Sequence, residues 1–492
     1  MPRKRAPTTP EDLALWRDHG IRVRRLSPAE HAALYRAVPK PKPKPPAVAL
    51  ETVNARLRAR PFEPHREPMA LAACDLVAVV FALVEEHEQQ LCLRRRARRP
   101  ADAASFKATV TALVSDLAHQ FLSDAGGTLA VPRSKRELGR KKDRYDAWFL
   151  GETFPRTLDL MKDAGLLVQH EGTWHYGTFG QQSFKTVIEP GPALIAALSR
   201  YPDLTAADFA IGEGKETIVL KWSNSHPNPR LRGRKVDYDD TPETVRMGEE
   251  MTTLNDWWAG ADLSLSPGYT PEAPVNLSRR SMSRIFSADD PNFGRGGRLY
   301  HSFWLDMPSD DRAALLIAGE PVVSLDFSAA FLRMAYGRVS EPVPEEDLYA
   351  VGKLAQWPRS IVKPLVNAML DDRTKMDDPA AVSGLRYWPK DVQSQLKEDW
   401  PDHPGLAVVR TVIEQEHAPI RPLFYRGIGM EFQALESRIV IAVLLTLRSM
   451  GIVGLPVHDC VIVPEKHEAV TKDLMMTEFR RVANAEAVVR RA

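Results

Sequence analysis

The stretch "PVVSLDFSAAFLRMAYG", residues 321–337, decides the reading of this chain. It begins as a strand, with valines and a leucine running up to Asp326. It continues as a helix, with Phe331, Leu332, Met334 and Ala335 at the spacing of a buried face. Asp326 stands at the join. A carboxylate held between two apolar elements costs several kcal/mol unless a cation or metal neutralises it. The sequence therefore predicts a strand-to-helix junction that presents an acid beside positive charge.

A second acid has a matching setting. "GIVGLPVHDCVIVPE" (451–465) reads as strand, His458-Asp459, strand, which predicts Asp459 at the tip of a β-hairpin. The preceding "FQALESRIVIAVLLTLRSMG" (432–451) sets Leu435, Ile439, Val443, Leu447 and Met450 on one helical face and stops at glycine. That helix would cover the sheet carrying both acids. Between them, "RSIVKPLVNAML" (359–370) places Arg359 and Lys363 one turn apart on a common face. Pro364, directly after the lysine, removes a backbone donor and strains a continuous helix there.

The order of these parts resembles motifs A, B and C of family A DNA polymerases, over residues 295–490. In motif A of that family the acid is followed by an aromatic, a serine and later an arginine, matched by Asp326, Phe327, Ser328 and Arg333. Arg359 and Lys363 match the arginine and lysine of motif B, and His458 and Asp459 match the first two residues of motif C, where Cys460 replaces a glutamate. Gln433 aligns loosely with a glutamine on the preceding family helix. The chain departs from motif B after the lysine, where Asn367, Asp371 and Asp372 stand in place of an aromatic and a tyrosine-glycine pair, so base stacking would fall to Tyr349 or Trp357.

The resemblance implies an α+β chain. A palm and fingers, an antiparallel sheet with helices, would occupy residues 295–492. The implied activity is template-directed nucleotide addition with two magnesium or manganese ions roughly 3.5–4 Å apart. Asp326 and Asp459 would hold the metals, while Arg359 and Lys363 meet the triphosphate. Phe331 occupies the position of a family glutamate that blocks the ribose 2′-hydroxyl, and a bulky ring there would favour deoxynucleotides. His458, Arg333 and Gln433 would support the site. The implied partners are a DNA template and primer and nucleoside triphosphates. A compact replicase of this kind suits a phage or mobile element. A single-subunit RNA polymerase or a primase is the alternative, since single-subunit RNA polymerases share the palm. A DNA-binding replication protein with an inactive palm is the third reading.

Upstream, residues 1–50 form an arm ending in the Lys/Pro stretch "VPKPKPKPPA", which favours an extended linker. Residues 51–130 have a helical pattern. In residues 131–200, the basic "SKRELGRKKDRYDAW" is followed by a helix pattern and then by a hairpin pattern, "TWHYGTFGQQSFKTVI". Helices followed by a hairpin resemble a winged helix, which serves either DNA or a protein partner. Arg140, Lys141, Lys142 and Arg144 are the candidate phosphate contacts there. Residues 201–294 are a connecting, thumb-like region. In "SRIFSADDPNFGRGGRLYHSFW" (283–304), Arg295 and Arg298 sit among glycines and aromatics, either as backbone-gripping forks or as an ordinary exposed turn.

The composition is compatible with this. With 492 residues, 44% of them apolar and 26% charged, a globular chain of several domains is expected. The net charge of +2 neither favours nor excludes a polyanionic partner, so local clusters matter more. No apolar run approaches the ~20 residues of a membrane span, and "MPRKRAPTTPED" lacks a signal-peptide core, so a cytoplasmic location is expected. Three scattered cysteines fit neither a disulfide framework nor a zinc site.

Overall fold

A computed structural model describes residues 59–371 and 406–492, apart from positions 95, 124–127, 173, 178–179, 184, 213, 225 and 272–274. The arm and linker expected in residues 1–50, and Asp372, lie outside the described residues. No described helix is long and apolar enough to cross a membrane.

The buried apolar side chains fall into two clusters, one running from Phe62 to Phe209 and the other from Ile218 to Ala487. The first is built by β1 (Arg60–Pro61), α1 (Leu71–Gln90), α2 (Pro100–Leu122), β2 (Leu129–Val131), α3 (Lys135–Leu138), α4 (Phe154–Asp163), β3 (Leu167–His170), the hairpin β4 (Trp174–Gly177) and β5 (Gly180–Ser183), β6 (Thr186–Pro190) and α5 (Pro192–Leu198). Its sheet runs β1-β2-β6-β3, with β6 antiparallel to both neighbours. Proline at the first turn of α2 starts that helix without sacrificing a hydrogen bond. Its side chain Asp116, fully buried, receives both Arg60 (2.7 Å) and Arg66 (2.8 Å). An acid with no exposure needs such partners, and they tie β1 to the helical layer.

The second cluster surrounds a small sheet and a larger one. The small sheet has the order β10-β9-β7, from β7 (Ile218–Lys221), β9 (Ser283–Ser287) and β10 (Gly296–Tyr300). The larger has the order β8-β11-β12-β14-β13, from β8 (Leu263–Leu265), β11 (Leu315–Ile317), β12 (Glu320–Phe327), β13 (Leu455–Val457) and β14 (Cys460–Pro464). A further strand, β15 (Val489–Arg491), pairs with β12. Helices α6 (Pro242–Ala259), α7 (Ala330–Val339), α8 (Arg359–Asp371), α9 (Leu406–Glu416), α10 (Gly429–Ser449) and α11 (Glu468–Ala483) complete it.

Three devices position the site. The Trp258 and Trp304 rings meet edge to face at 5.6 Å, and their indole N–H groups donate to Gly454 O (2.9 Å) and Pro456 O (3.0 Å). These bonds anchor the strand that leads into His458-Asp459. Gly337 on α7 lets that helix touch the end of α11, since a Cβ there would collide with Ala483 O. Helix α8 runs unbroken through Pro364, because Ile361, Val362, Leu365, Val366, Met369 and Leu370 are buried along one face. That packing offsets the lost backbone bond. On α10 the apolar face stops at Leu447, and Met450 is 49% exposed.

Candidate active site

Asp326 is the seventh residue of β12, near the strand's end, where its Cα stands opposite Cys460 of β14 on one side and Arg490 of β15 on the other. Asp459 occupies the two-residue turn that joins β13 to β14 through the pair Val457–Cys460. The first residue of that turn, His458, has φ +58°, the left-handed geometry that lets a two-residue turn follow strand twist. The Asp326 turn contains a second non-glycine residue of this kind, Ala329 at φ +55°, which caps α7. Both turns thus hold strained backbone next to an acid.

The two carboxyl groups are close enough to hydrogen-bond. Burial and the adjacent Asp459 push the Asp326 carboxyl up to about 7, against the opposing pull of Lys363. Two half-buried acids in contact disfavour each other's ionised form, which an added cation would relieve. No group of three or more metal-ligating side chains gathers among the described residues. A magnesium ion does not require one: it takes one or two carboxylates and fills its shell from water and substrate phosphates. The Asp326–Asp459 pair fits that donor set.

A cleft of about 410 Å³ opens beside Asp326. Residues 326–329 form its floor, Asp347, Arg359 and Lys363 contribute from the helix α8 side, and Arg490 and Arg491 from β15. Arg359 and Lys363 are exposed into it, as their spacing on α8 predicts. Arg333 is buried instead, donating to Ser328 O (2.9 Å) and Glu486 O (3.1 Å), and the Ser328 N–H donates to Val488 O (2.8 Å). These bonds fasten the Asp326 turn to the segment entering β15.

Behind the acids lies an ion pair that sequence reasoning split. Arg298 on β10 grips Glu436 of α10 through two hydrogen bonds of 2.7 and 2.8 Å. Glu436 is 1% exposed; burial raises its carboxyl well above the usual range, and Asp459 and Asp326 add to this, so Arg298 is what keeps it in place. Gln433 is half-buried one turn earlier on α10. His458 is held below its ordinary value by burial and by Arg298, against the opposing pull of Asp459, and its Nδ1 has no hydrogen-bond partner among the described residues. Phe331 does not line the cleft. Its ring packs at 5.8 Å on Phe432 and 5.9 Å from the Arg298 guanidinium.

Four of the six basic residues expected at nucleic acid are engaged within the protein. Arg295 reaches Gly427 O and Glu431, and Arg298 holds Glu436. Arg140 pairs with Asp143 and Asp146, and Arg144 with Glu216 and Asp240 while lying over the Tyr238 ring. The reason is local: each sits within reach of acids brought in by the fold, some of them 72 to 138 residues away. Lys141 is exposed, and Lys142 contacts Leu138 O at 3.5 Å. Tyr349 is 3% exposed beneath Arg359, which leaves little ring for a base to stack on.

Sequence reasoning missed Asp347, Glu436, Arg490 and Arg491. Glu436 carried a signal, being an acid inside the buried half of an apolar helix. The other three carried none, because loop and strand ends with charged residues are ordinary surface.

No protein-family model matches the chain, and no curated protein matches it. Among solved structures, it is similar to the polymerase domain of Pol1 from M. smegmatis in complex with DNA primer-template and dNTP. The two are 13% identical, with a TM-score of 0.26, and the alignment covers 40% of this chain and 45% of that one.

Proposed function

We propose that this protein is a template-directed nucleotidyltransferase of the family A polymerase type, adding deoxynucleotides to a DNA primer. The observation that carries the reading is the meeting of Asp326 and Asp459, 133 positions apart by their numbering, beside a cleft lined by Asp326, Arg359 and Lys363.

Asp326 and Asp459 would hold two magnesium ions, which would supply activation of the attacking 3′-hydroxyl and stabilisation of the leaving pyrophosphate. Each carboxyl would offer oxygens fixed by its place in the fold, Asp326 near a strand end and Asp459 in a hairpin turn. Arg359 and Lys363 take the triphosphate and orient its α-phosphorus toward the primer end. Arg298, locked by Glu436, supports the Asp459 turn from behind, and Arg333 keeps the Asp326 turn in register. In the N-terminal half the order α2-β2-α3-α4-β3-β6, with the strand order β2-β6-β3, supports a winged-helix reading of residues 131–200, and we assign DNA contact to it.

The test is extension of a labelled primer on DNA and RNA templates, with deoxy- or ribonucleotides. Deoxynucleotide addition that disappears in Asp326→Ala and Asp459→Ala is expected. Addition of ribonucleotides alone would move the reading to an RNA polymerase or primase. Addition by neither, with DNA binding intact, would leave a non-catalytic replication protein. Because Phe331 packs on Phe432, Phe331→Ala tests the sugar separately: an unchanged sugar preference removes it as a gate.

A further inference from the structure

We propose that strand β15 supplies a third phosphate-binding cation, Arg490, so that the nucleotide's triphosphate is held from the strand side as well as by helix α8. This rests on the polymerase reading given above and adds a residue to it.

Arg490 stands directly across β12 and β15 from Asp326, and residues opposed in an antiparallel pair project from the same face of the sheet. Its exposed side chain lines the cleft that Arg359 and Lys363 enter from the other side. Its neighbour Arg491 also lines the cleft but differs in its partners. Arg491 is committed to Glu465 (3.0 Å) and Glu468, which clamp the strand to the start of α11. Arg490 has no ion pair among the described residues, and its charged neighbour is a like charge, the buried Arg333, whose guanidinium it depresses further after burial.

The simplest alternative is that Arg490 exists to neutralise Asp326. The two stand opposite in the ladder, however, and no ion pair joins them among the described residues. An arginine that faces a cleft, lies next to another arginine and forms no ion pair among the described residues is matched by an anion that arrives from outside. The planar fork suits phosphate oxygens in pairs. The segment entering β15 is itself fixed: Arg333 holds Glu486 O, and Ser328 holds Val488 O. The guanidinium is thereby delivered from a rigid element, as a specific contact requires.

The experiment is calorimetric titration of the full chain with dATP, with magnesium present, and with inorganic tripolyphosphate. Arg490→Ala and Arg490→Gln should each weaken both ligands by about ten- to a hundredfold, the scale of one hydrogen-bonded charge, at an unchanged melting temperature. Arg490→Lys should recover part of the loss. If Arg490→Ala fails to fold, Arg490→Gln decides. Wild-type affinity in either folded variant overturns the proposal. The two readings fail separately. Arg490-dependent tripolyphosphate binding by a protein that extends no primer would sink the polymerase reading and keep this site. Asp326-dependent extension with dATP affinity indifferent to Arg490 would do the reverse.

Discussion

Arg359 Nε donates a hydrogen bond to Asp347 Oδ2 at 3.0 Å, with its guanidinium 4.9 Å from the centre of the Tyr349 ring. Both partners line the cleft, and the arginine is 47% exposed, so the pair is worth about 0–1 kcal/mol to stability. Its importance is that it holds Arg359 until an anion competes for it. Asp347→Asn should leave the melting temperature nearly unchanged and lower the nucleotide KM. Arg359→Ala should raise that KM by about tenfold, one charge-assisted hydrogen bond. A KM that rises in Asp347→Asn would mean that the acid orients the arginine productively instead.

The pH dependence of stability follows from Asp326. Its folded carboxyl keeps its proton up to about pH 7, while the unfolded chain releases it near the ordinary 3.8. Between those values the folded state binds more protons, so the contribution is favourable at low pH and is lost as pH rises through 7. Metal-free protein should lose about 1 kcal/mol or less per pH unit over that window, given the partial exposure of the group. Denaturant unfolding at pH 5 and 8 measures this. Asp326→Asn should flatten the profile; an identical slope in the variant would place the titrating group elsewhere.

Divalent cations should reverse the same penalty. At a concentration about a hundredfold above its dissociation constant, magnesium should add about 2.7 kcal/mol to the wild type at pH 8. Asp326→Asn and Asp459→Asn should respond far less. Thermal melts with and without chelator are the measurement, and equal stabilisation of wild type and both variants would count against a metal held by this pair.

The Arg298–Glu436 pair predicts a non-additive result. Arg298→Met alone leaves Glu436 buried without its partner and should cost about 3–5 kcal/mol. Adding Glu436→Leu should recover most of that, because an apolar pair can fill the space of a buried ion pair. Additive losses in the double variant would show that the two residues act independently.

In the N-terminal half, Arg144 and Lys141 should separate. Arg144→Ala removes contacts to Glu216, Asp240 and Tyr238 O and should destabilise the fold. Lys141→Ala should leave stability alone and weaken duplex DNA binding, with a shallower salt dependence. Titration of the full chain with DNA at two ionic strengths distinguishes them. Unchanged binding in Lys141→Ala would favour a protein partner for this region.

The sequence by itself determined the local parts of the site. A strand ending in Asp326, a helix bearing Arg359 and Lys363 on one face, and a hairpin tipped by Asp459 all follow from apolar periodicity and turn position, which act over a few residues. Only the tertiary structure decided which charges meet. Arg298 has no acid within a turn of it and Arg144 has Asp143 and Asp146, yet folding brings Glu436 and Asp240 to them from 138 and 96 residues away. Conversely, Arg490 and Arg491 carried no signal in the sequence, and strand pairing set Arg490 opposite Asp326 while Glu465 and Glu468 captured Arg491. Periodicity records which face of an element is buried, whereas the partner of a charge depends on contacts between elements distant in sequence.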